Sequence, residues 1–553
     1  MPGAADAVQA LVHDGVPGLL AQGDPTLWGP TAEPEAKVRL GWIDTYRRSR
    51  ALLPRLASLK DELSAAGIDH VVLAGMGGSS LAPEVISRTL GAALTVLDTT
   101  DPQQVQAALR DRLERTVVVL ASKSGGTVET DSHRRAYLQA FAEAGVVDPG
   151  RRFVVVTDPG SPLEATAQEM GAHLFLADPD VGGRYSALTA FGLVPAALAG
   201  VEVAALLDDA EQFAASLAGT GSDGTGGTGG TGGTDDGSSS PDGGSSNPAL
   251  ILGAALGAAA LAGRDKLALV DDGTGIVGLG DWAEQLIAES TGKDGHGILP
   301  VVVESPDSPG ATGDDILTIS LGGALAAGPV PVDGTAPRVG VNGPLGAQFL
   351  AWEYATAVAG RLLGINPFDQ PNVAESKDNT RRILESGTPD SAPPAFTDGA
   401  IEVYGHELGH ASTVEGVLGW LLGRLDPRGY LAVMAYLDRH GDADAARLRA
   451  ALAGHTSRPV TFGWGPRFLH STGQYHKGGP ADGAFLQITG AVTGDLAVPG
   501  RPYTFGALQA AQAAGDRSAL AGRGRAVVRL HLNERAAGIS QLLATAGSLP
   551  RIS

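Results

Sequence analysis

Short runs of β-branched and apolar residues recur along the first part of the chain: "HVVLAG" at 70–75, "ALTVLDTT" at 93–100, "RTVVVLAS" at 115–122, "RRFVVVTD" at 151–158 and "AHLFLAD" at 172–178. Between them lie stretches with helical spacing, such as "PQQVQAALRDRL" and "SPLEATAQEMG". Near-continuous apolar strands alternating with helices predict a parallel sheet covered on both faces, a doubly wound α/β fold. Further on, "RGYLAVMAYLD", "PVTFGWG", "AFLQITG" and "RAVVRLHL" read as strands. "DADAARLRAALAG", "TFGALQAAQAAG" and "ERAAGISQLLATA" read as helices, so residues 395–553 form an accessory α/β domain. From 219 to 247 the chain reads "GTGSDGTGGTGGTGGTDDGSSSPDGGSSN", with no apolar residue to offset ordering entropy, and is expected to be a disordered loop. Helical patterns flank it, so it is an insertion between two helices of one layer, or alternatively a tether between domains.

At 553 residues the chain is too long for a single core. A formal net charge of −21 argues against nucleic acid, which needs a basic face, while leaving a small anion held by local donors open. Cysteine is absent, which excludes disulfides and a thiol nucleophile. The first residues lack the features of a signal peptide, and no window reaches 18 uninterrupted apolar residues, so a soluble, cytoplasmic protein without membrane or nucleic-acid partners is expected.

In doubly wound folds ligands sit beyond the carboxyl ends of the strands. Two such turns are rich in glycine and hydroxyls, "GMGGSSLAPEV" at 75–85 and "SKSGGTVETDSHRRAYLQAF" at 122–141. Gly77 and Gly78 allow close backbone approach to an anion, and Ser79, Ser122, Ser124 and Thr127 each carry a hydroxyl donor. Hydrogen bonds to a charged oxygen contribute about 1.5–3 kcal/mol each. The alternative is that the same residues simply form tight turns and helix caps. Two loops of this kind in one sheet favour an anion site. Neither is a Walker loop or a dinucleotide fingerprint.

"GMGGSSLAP", "SKSGGTVET", "VGGRYSALTAFGL", "EQLIAESTGK" and "GINPFDQPNVAESK" occur in this order. Together they resemble the glucose-6-phosphate isomerase family, of the sugar isomerase fold, over most of residues 30–385. The nearest likeness is to the isomerase half of transaldolase/isomerase fusions, although this chain is too short to hold a transaldolase barrel as well.

The resemblance implies two doubly wound sugar-isomerase sheets, in 1–218 and 248–394, with 395–553 added. It implies that Ser79, Ser122, Ser124 and Thr127 hold the substrate phosphate and that Gly78, Gly183, Gln285 and Gln370 contact substrate. Glu289 becomes the base that moves a proton between C2 and C1 through an enediolate. Arg184 stabilises the oxyanion, and Lys377 and a histidine open the ring. Neither a cofactor nor a metal is implied, and a homodimer is, because the family's histidine comes from the neighbouring subunit.

Read from the residues alone, "DWAEQLIAESTGK" is a helix carrying Glu284, Gln285 and Glu289, with the last two on one face. An ordinary solvated face is the plain alternative, as an ion-pair role is for Arg184 and a solvated helix residue for Lys377. The histidine departs from the family order. His470 in "RFLHSTGQYHKGGP", followed by Gln474, is the first choice, His476 the second, and His296 in "DGHGI" the only one between Glu289 and Lys377.

"HELGH" at 406–410 matches the zinc-protease pattern, in which a helix sets two histidines four apart. Thr413 and Gly416 stand where a metzincin has glycine and histidine, and Glu415 comes too early for a third ligand of the other class. The favoured reading is a helix through "TDGAIEVYGHELGHASTVEGVLGWLLGRL" carrying His406 and His410 as ordinary polar residues. A metalloprotease, a phosphosugar-binding module without catalysis, and an isomerase of another phosphosugar such as mannose 6-phosphate are the competing functions.

Overall fold

A computed structural model of the protein describes residues 3–217, 246–323, 338–387, 393–405 and 408–551. The first sheet contains β1 (His70–Gly75), β2 (Thr95–Leu97), β3 (Thr116–Ala121), β4 (Phe153–Thr157) and β5 (His173–Leu176). All pair in parallel, in the order β2-β1-β3-β4-β5. Every residue of β1, β3 and β4 is buried, as expected for strands covered on both faces. The strand order reverses between β1 and β3. Their carboxyl ends lead directly into the two glycine- and hydroxyl-rich turns, so both turns open at the switch point where ligands bind such sheets.

The second sheet is also parallel. It contains β6 (Lys266–Asp271), β7 (Leu299–Val303), β8 (Ile316–Gly322) and β9 (Arg338–Asn342), in the order β7-β6-β8-β9. Its order reverses between β6 and β8, and the helix after β6, Leu279–Thr291, carries Gln285 and Glu289. One apolar core joins the two sheets and includes Trp28, Trp42, Tyr185, Trp282, Phe349 and Trp352.

The third sheet is mixed. It contains β10 (Phe396–Asp398), β11 (Ile401–Tyr404), β12 (Tyr430–Tyr436), β13 (Val460–Trp464), β14 (Gly483–Gly490) and β15 (Ala526–Leu532), in the order β10-β11-β15-β14-β12-β13. β12 to β15 are parallel, while β11 runs antiparallel to both β10 and β15. The single helix expected across "HELGH" is not present. β10 and β11 precede the motif, and a short helix, Val414–Leu422, begins after it with Thr413 as N-cap. The alternation of buried Ile401 and Val403 with Glu402 and Tyr404 explains the strand. A further core, with Val270, Val301, Tyr430, Met434 and Phe485, fastens the third sheet to the second.

The expectation of disorder over 219–247 falls almost wholly outside the described residues. Ser246 and Asn247 are described, and Asn247 is a buried N-cap of the Pro248–Leu261 helix. Its Oδ1 accepts from Leu250 N at 2.9 Å, and its Nδ2 donates to Leu217 O at 3.0 Å. The flanks of that stretch therefore meet, and both flanking helices pack on the Leu345–Leu363 helix. Among the described residues no helix is long and apolar enough to cross a membrane.

Candidate active site

The two turns at the switch point have different geometries. After β1 the chain tightens into a 3-10 turn, Gly77–Ser79, with Gly77 at φ +53. A Cβ on Gly77 would come within 2.6 Å of His470 O, and one on Gly78 within 2.1 Å of Gly183 O. These glycines let three backbone segments meet, and a side chain would drive them apart. Ser79 is buried beside them. After β3, Ser122 and Thr127 face each other with hydroxyls 2.8 Å apart, and Thr127 is the N-cap of Val128–Glu143 without using its side chain as a cap. Ser124 is exposed, its Oγ accepting from Gly126 N at 3.3 Å. Lys123, the cation in this turn, is bound to Asp158 at 2.6 Å.

Gln285 and Glu289, one helical turn apart, are both buried, and Gln285 Nε2 donates to Glu289 Oε2 at 3.0 Å. Arg184 Nη1 approaches Glu289 Oε1 at 3.6 Å from the other side. The guanidinium is fixed at every nitrogen. Nε donates to Ser290 Oγ at 2.8 Å, Nη2 to Pro367 O at 2.7 Å and Asp369 O at 2.9 Å, and Nη1 to Gln370 Oε1 at 2.6 Å. The sequence alone left Arg184 open to an ion-pair role at the surface, but its side chain is 2% exposed. Glu284 is not part of this pairing, and burial together with Asp281 pushes its carboxyl up to about 8.

His470 closes the site from the third sheet. Its backbone O accepts from Gln285 Nε2 at 2.7 Å, and its ring Nε2 lies 3.0 Å from Glu129 Oε1. The same carboxylate oxygen accepts from Gln512 Nε2 at 2.7 Å, and Gln512 Oε1 accepts from Thr100 Oγ1 at 2.7 Å. Burial opposes ionisation of Glu129, but the charge and hydrogen bond of His470, with Lys377 contributing, prevail and hold it at about 2. A carboxylate that orients an imidazole through one ring nitrogen fixes the tautomer and supports proton transfer.

The two other candidate histidines, His476 and His296, are not brought to this cluster. His476 lies in an aromatic core with Tyr430, Phe468 and Phe485, and neither ring nitrogen has a partner among the described residues. Burial pushes it down to about 3. His296 is exposed on the turn after Thr291. Gln474 braces the structure, donating to Gly292 O at 2.9 Å and Asn372 Oδ1 at 2.8 Å. Lys377 stands exposed in the first turn of the Ala374–Ser386 helix, at the start of a helical run and not at its end.

His406 and Glu407 lie outside the described residues, and His410 is exposed in the turn before the Val414–Leu422 helix. Among the described residues no three histidine, aspartate or glutamate side chains are grouped to hold a metal. Glu129 and Gln512 were not foreseen from the sequence. An acidic residue in a helix's first turn reads as a match to the helix dipole, and nothing in the spacing marks it as buried.

The hydroxyl-lined turns at the switch point of the first sheet and the Gln285–Glu289–Arg184 cluster of the second thus face one another in a single candidate site. Residues 56–221 match the family model described as Phosphoglucose isomerase. The chain is 32% identical over 239 residues to a "Probable glucose-6-phosphate isomerase" of Haloarcula marismortui, covering 42% of this chain and 49% of that one, so the match spans about half the length of that relative. It is 29% identical over 395 residues to a "Glucose-6-phosphate isomerase" of Rubrobacter xylanophilus, covering 60% and 86%. A solved structure of a hypothetical protein from Thermus thermophilus shares the fold, with a TM-score of 0.53 and 22% identity over 69% of this chain and 98% of the other.

Proposed function

We propose that the protein interconverts glucose 6-phosphate and fructose 6-phosphate by proton transfer through an enediolate, a step of glycolysis and gluconeogenesis. The observation that carries this reading is the buried Glu289, held between the Gln285 amide and the Arg184 guanidinium. A carboxylate so placed takes a proton from one carbon and returns it to the next, a contribution of roughly 10²- to 10⁴-fold. The guanidinium faces the charge that develops on the adjacent oxygen.

In this reading Ser79, Ser122, Ser124 and Thr127 bind the phosphate, Gly78 and Gly183 let the backbone approach the substrate closely, and Gln370 joins the substrate contacts. His470, supported by Glu129, and Lys377 open the ring. The non-catalytic binding module has no use for this arrangement of base, arginine and histidine. A cytoplasmic homodimer is part of the proposal on the resemblance. Within one chain His470 already meets Glu129 and Gln285. The test is conversion of fructose 6-phosphate followed by a coupled glucose-6-phosphate dehydrogenase, with mannose 6-phosphate as the competing substrate. Preference for mannose 6-phosphate would move the assignment to another phosphosugar.

A further inference from the structure

Lys293 ends the motif "EQLIAESTGK", just beyond the helix that carries Glu289. Its side chain is 2% exposed, and Nζ donates to Asn366 O at 2.6 Å, Asp369 O at 2.7 Å and Asp369 Oδ1 at 2.6 Å. All three acceptors belong to the turn 365–370, which joins the Leu345–Leu363 helix to the one bearing Lys377. Arg184 holds the same turn through Pro367 O, Asp369 O and Gln370 Oε1. Asp369 O is therefore shared by two cations. Phe368 anchors the turn's apolar side, buried with its ring 4.8 Å from Trp28 and 5.6 Å from Tyr185.

An ammonium is costly to bury unless its donors are satisfied, and here three acceptors take all three. We propose that charged Lys293 is a positioning residue: it clamps the 366–370 turn and, through the shared Asp369 carbonyl, sets Arg184 against Glu289 and Gln370 beside them. The ligand-facing consequence rests on the isomerase reading, whereas the clamp itself is a property of the fold. Neutral Lys293 has one donor fewer and no charge for Asp369, so the turn loosens when the proton leaves. Burial and then the like charge of Arg184 push Lys293 down to about 8, against the opposing pull of Asp369 and Glu289. These are the charged groups that face it.

The experiment is hydrogen–deuterium exchange of peptides spanning 365–372 in the full chain, corrected for intrinsic rates, at about pH 7 and about pH 9. It is paired with kcat and KM for fructose 6-phosphate. The wild type should lose protection of the turn and kcat together as pH rises through about 8. Lys293→Met should be unprotected at both values. It should also lose roughly 10- to 100-fold in kcat with little change in KM, and lack that basic limb. Asp369→Asn provides the second variant should Lys293→Met not fold: Asp369 is 40% exposed, and removing its charge should move the loosening to lower pH. Wild-type protection and kcat in either folded variant would overturn the clamp. A wild type with the expected exchange behaviour but no isomerase activity would uphold the clamp and sink the functional reading instead.

Discussion

His470 Nε2 lies 3.0 Å from Glu129 Oε1, across 341 positions of the same chain. This contact joins a turn of the third sheet to the first helical turn after β3, and it lies next to the helix of the second sheet through the bond from Gln285 to His470 O. The candidate site is thus assembled where three sheets meet, and the C-terminal region completes it instead of merely accompanying it.

Removal of the imidazole should slow ring opening selectively. His470→Ala is expected to turn over a cyclic substrate at least about tenfold more slowly relative to wild type than an open-chain analogue. Stopped-flow comparison of the two substrates checks this. His476→Ala giving the selective defect instead would reassign the histidine.

Glu129 couples the site to acid stability. Its carboxyl is held at about 2 in the folded protein, below the ordinary 4.5, so the unfolded chain binds the proton first as pH falls. The stabilisation is complete above about 4.5 and is lost as pH falls through 4.5 toward 2. Urea midpoints measured from neutral pH down to about pH 3 should therefore fall less steeply in Glu129→Gln than in wild type. Ring opening should be impaired in the same variant.

His476 behaves differently, because burial favours its neutral form and lowers it to about 3 from an ordinary 6.5. Between those values the unfolded chain takes up the proton and the folded one does not, so stability falls as pH drops below 6.5. His476→Phe should reduce that dependence and leave turnover within about twofold, since the ring already packs among aromatic side chains. A large loss of activity would place His476 in the chemistry.

Gly78→Ala tests the convergence of the loops. Its Cβ would fall 2.1 Å from Gly183 O, so one segment must move, at about 1–3 kcal/mol and with loss of the phosphate-site geometry. The expected result is a raised KM for the sugar phosphate and a lowered melting temperature. A neutral outcome would mean that the two loops need not meet.

Much of this is legible in the sequence. The five strands of the first sheet are marked by short apolar runs, those of β1, β3 and β4 being buried throughout, and the hydroxyl-rich turns lie at the carboxyl ends of β1 and β3, where the strand order reverses. The resemblance motifs bring Arg184, Gln285, Glu289 and Gln370 into one cluster. β10 and β11 are hidden because their short alternation runs straight into "HELGH", whose histidine spacing suggests a helix. Glu129, Gln512 and Lys293 are hidden for another reason: each is defined by partners brought in from distant parts of the chain, and no local period records that.

The most direct measurement is turnover of fructose 6-phosphate in deuterium oxide, followed by proton NMR of the glucose 6-phosphate formed, for wild type and Glu289→Gln. Proton transfer through an enediolate predicts deuterium entering at C2 during wild-type turnover and a loss of roughly 10²- to 10⁴-fold in rate for the variant. A folded Glu289→Gln protein that turns over at the wild-type rate and takes up deuterium at C2 as the wild type does would contradict the assignment of Glu289 as the base.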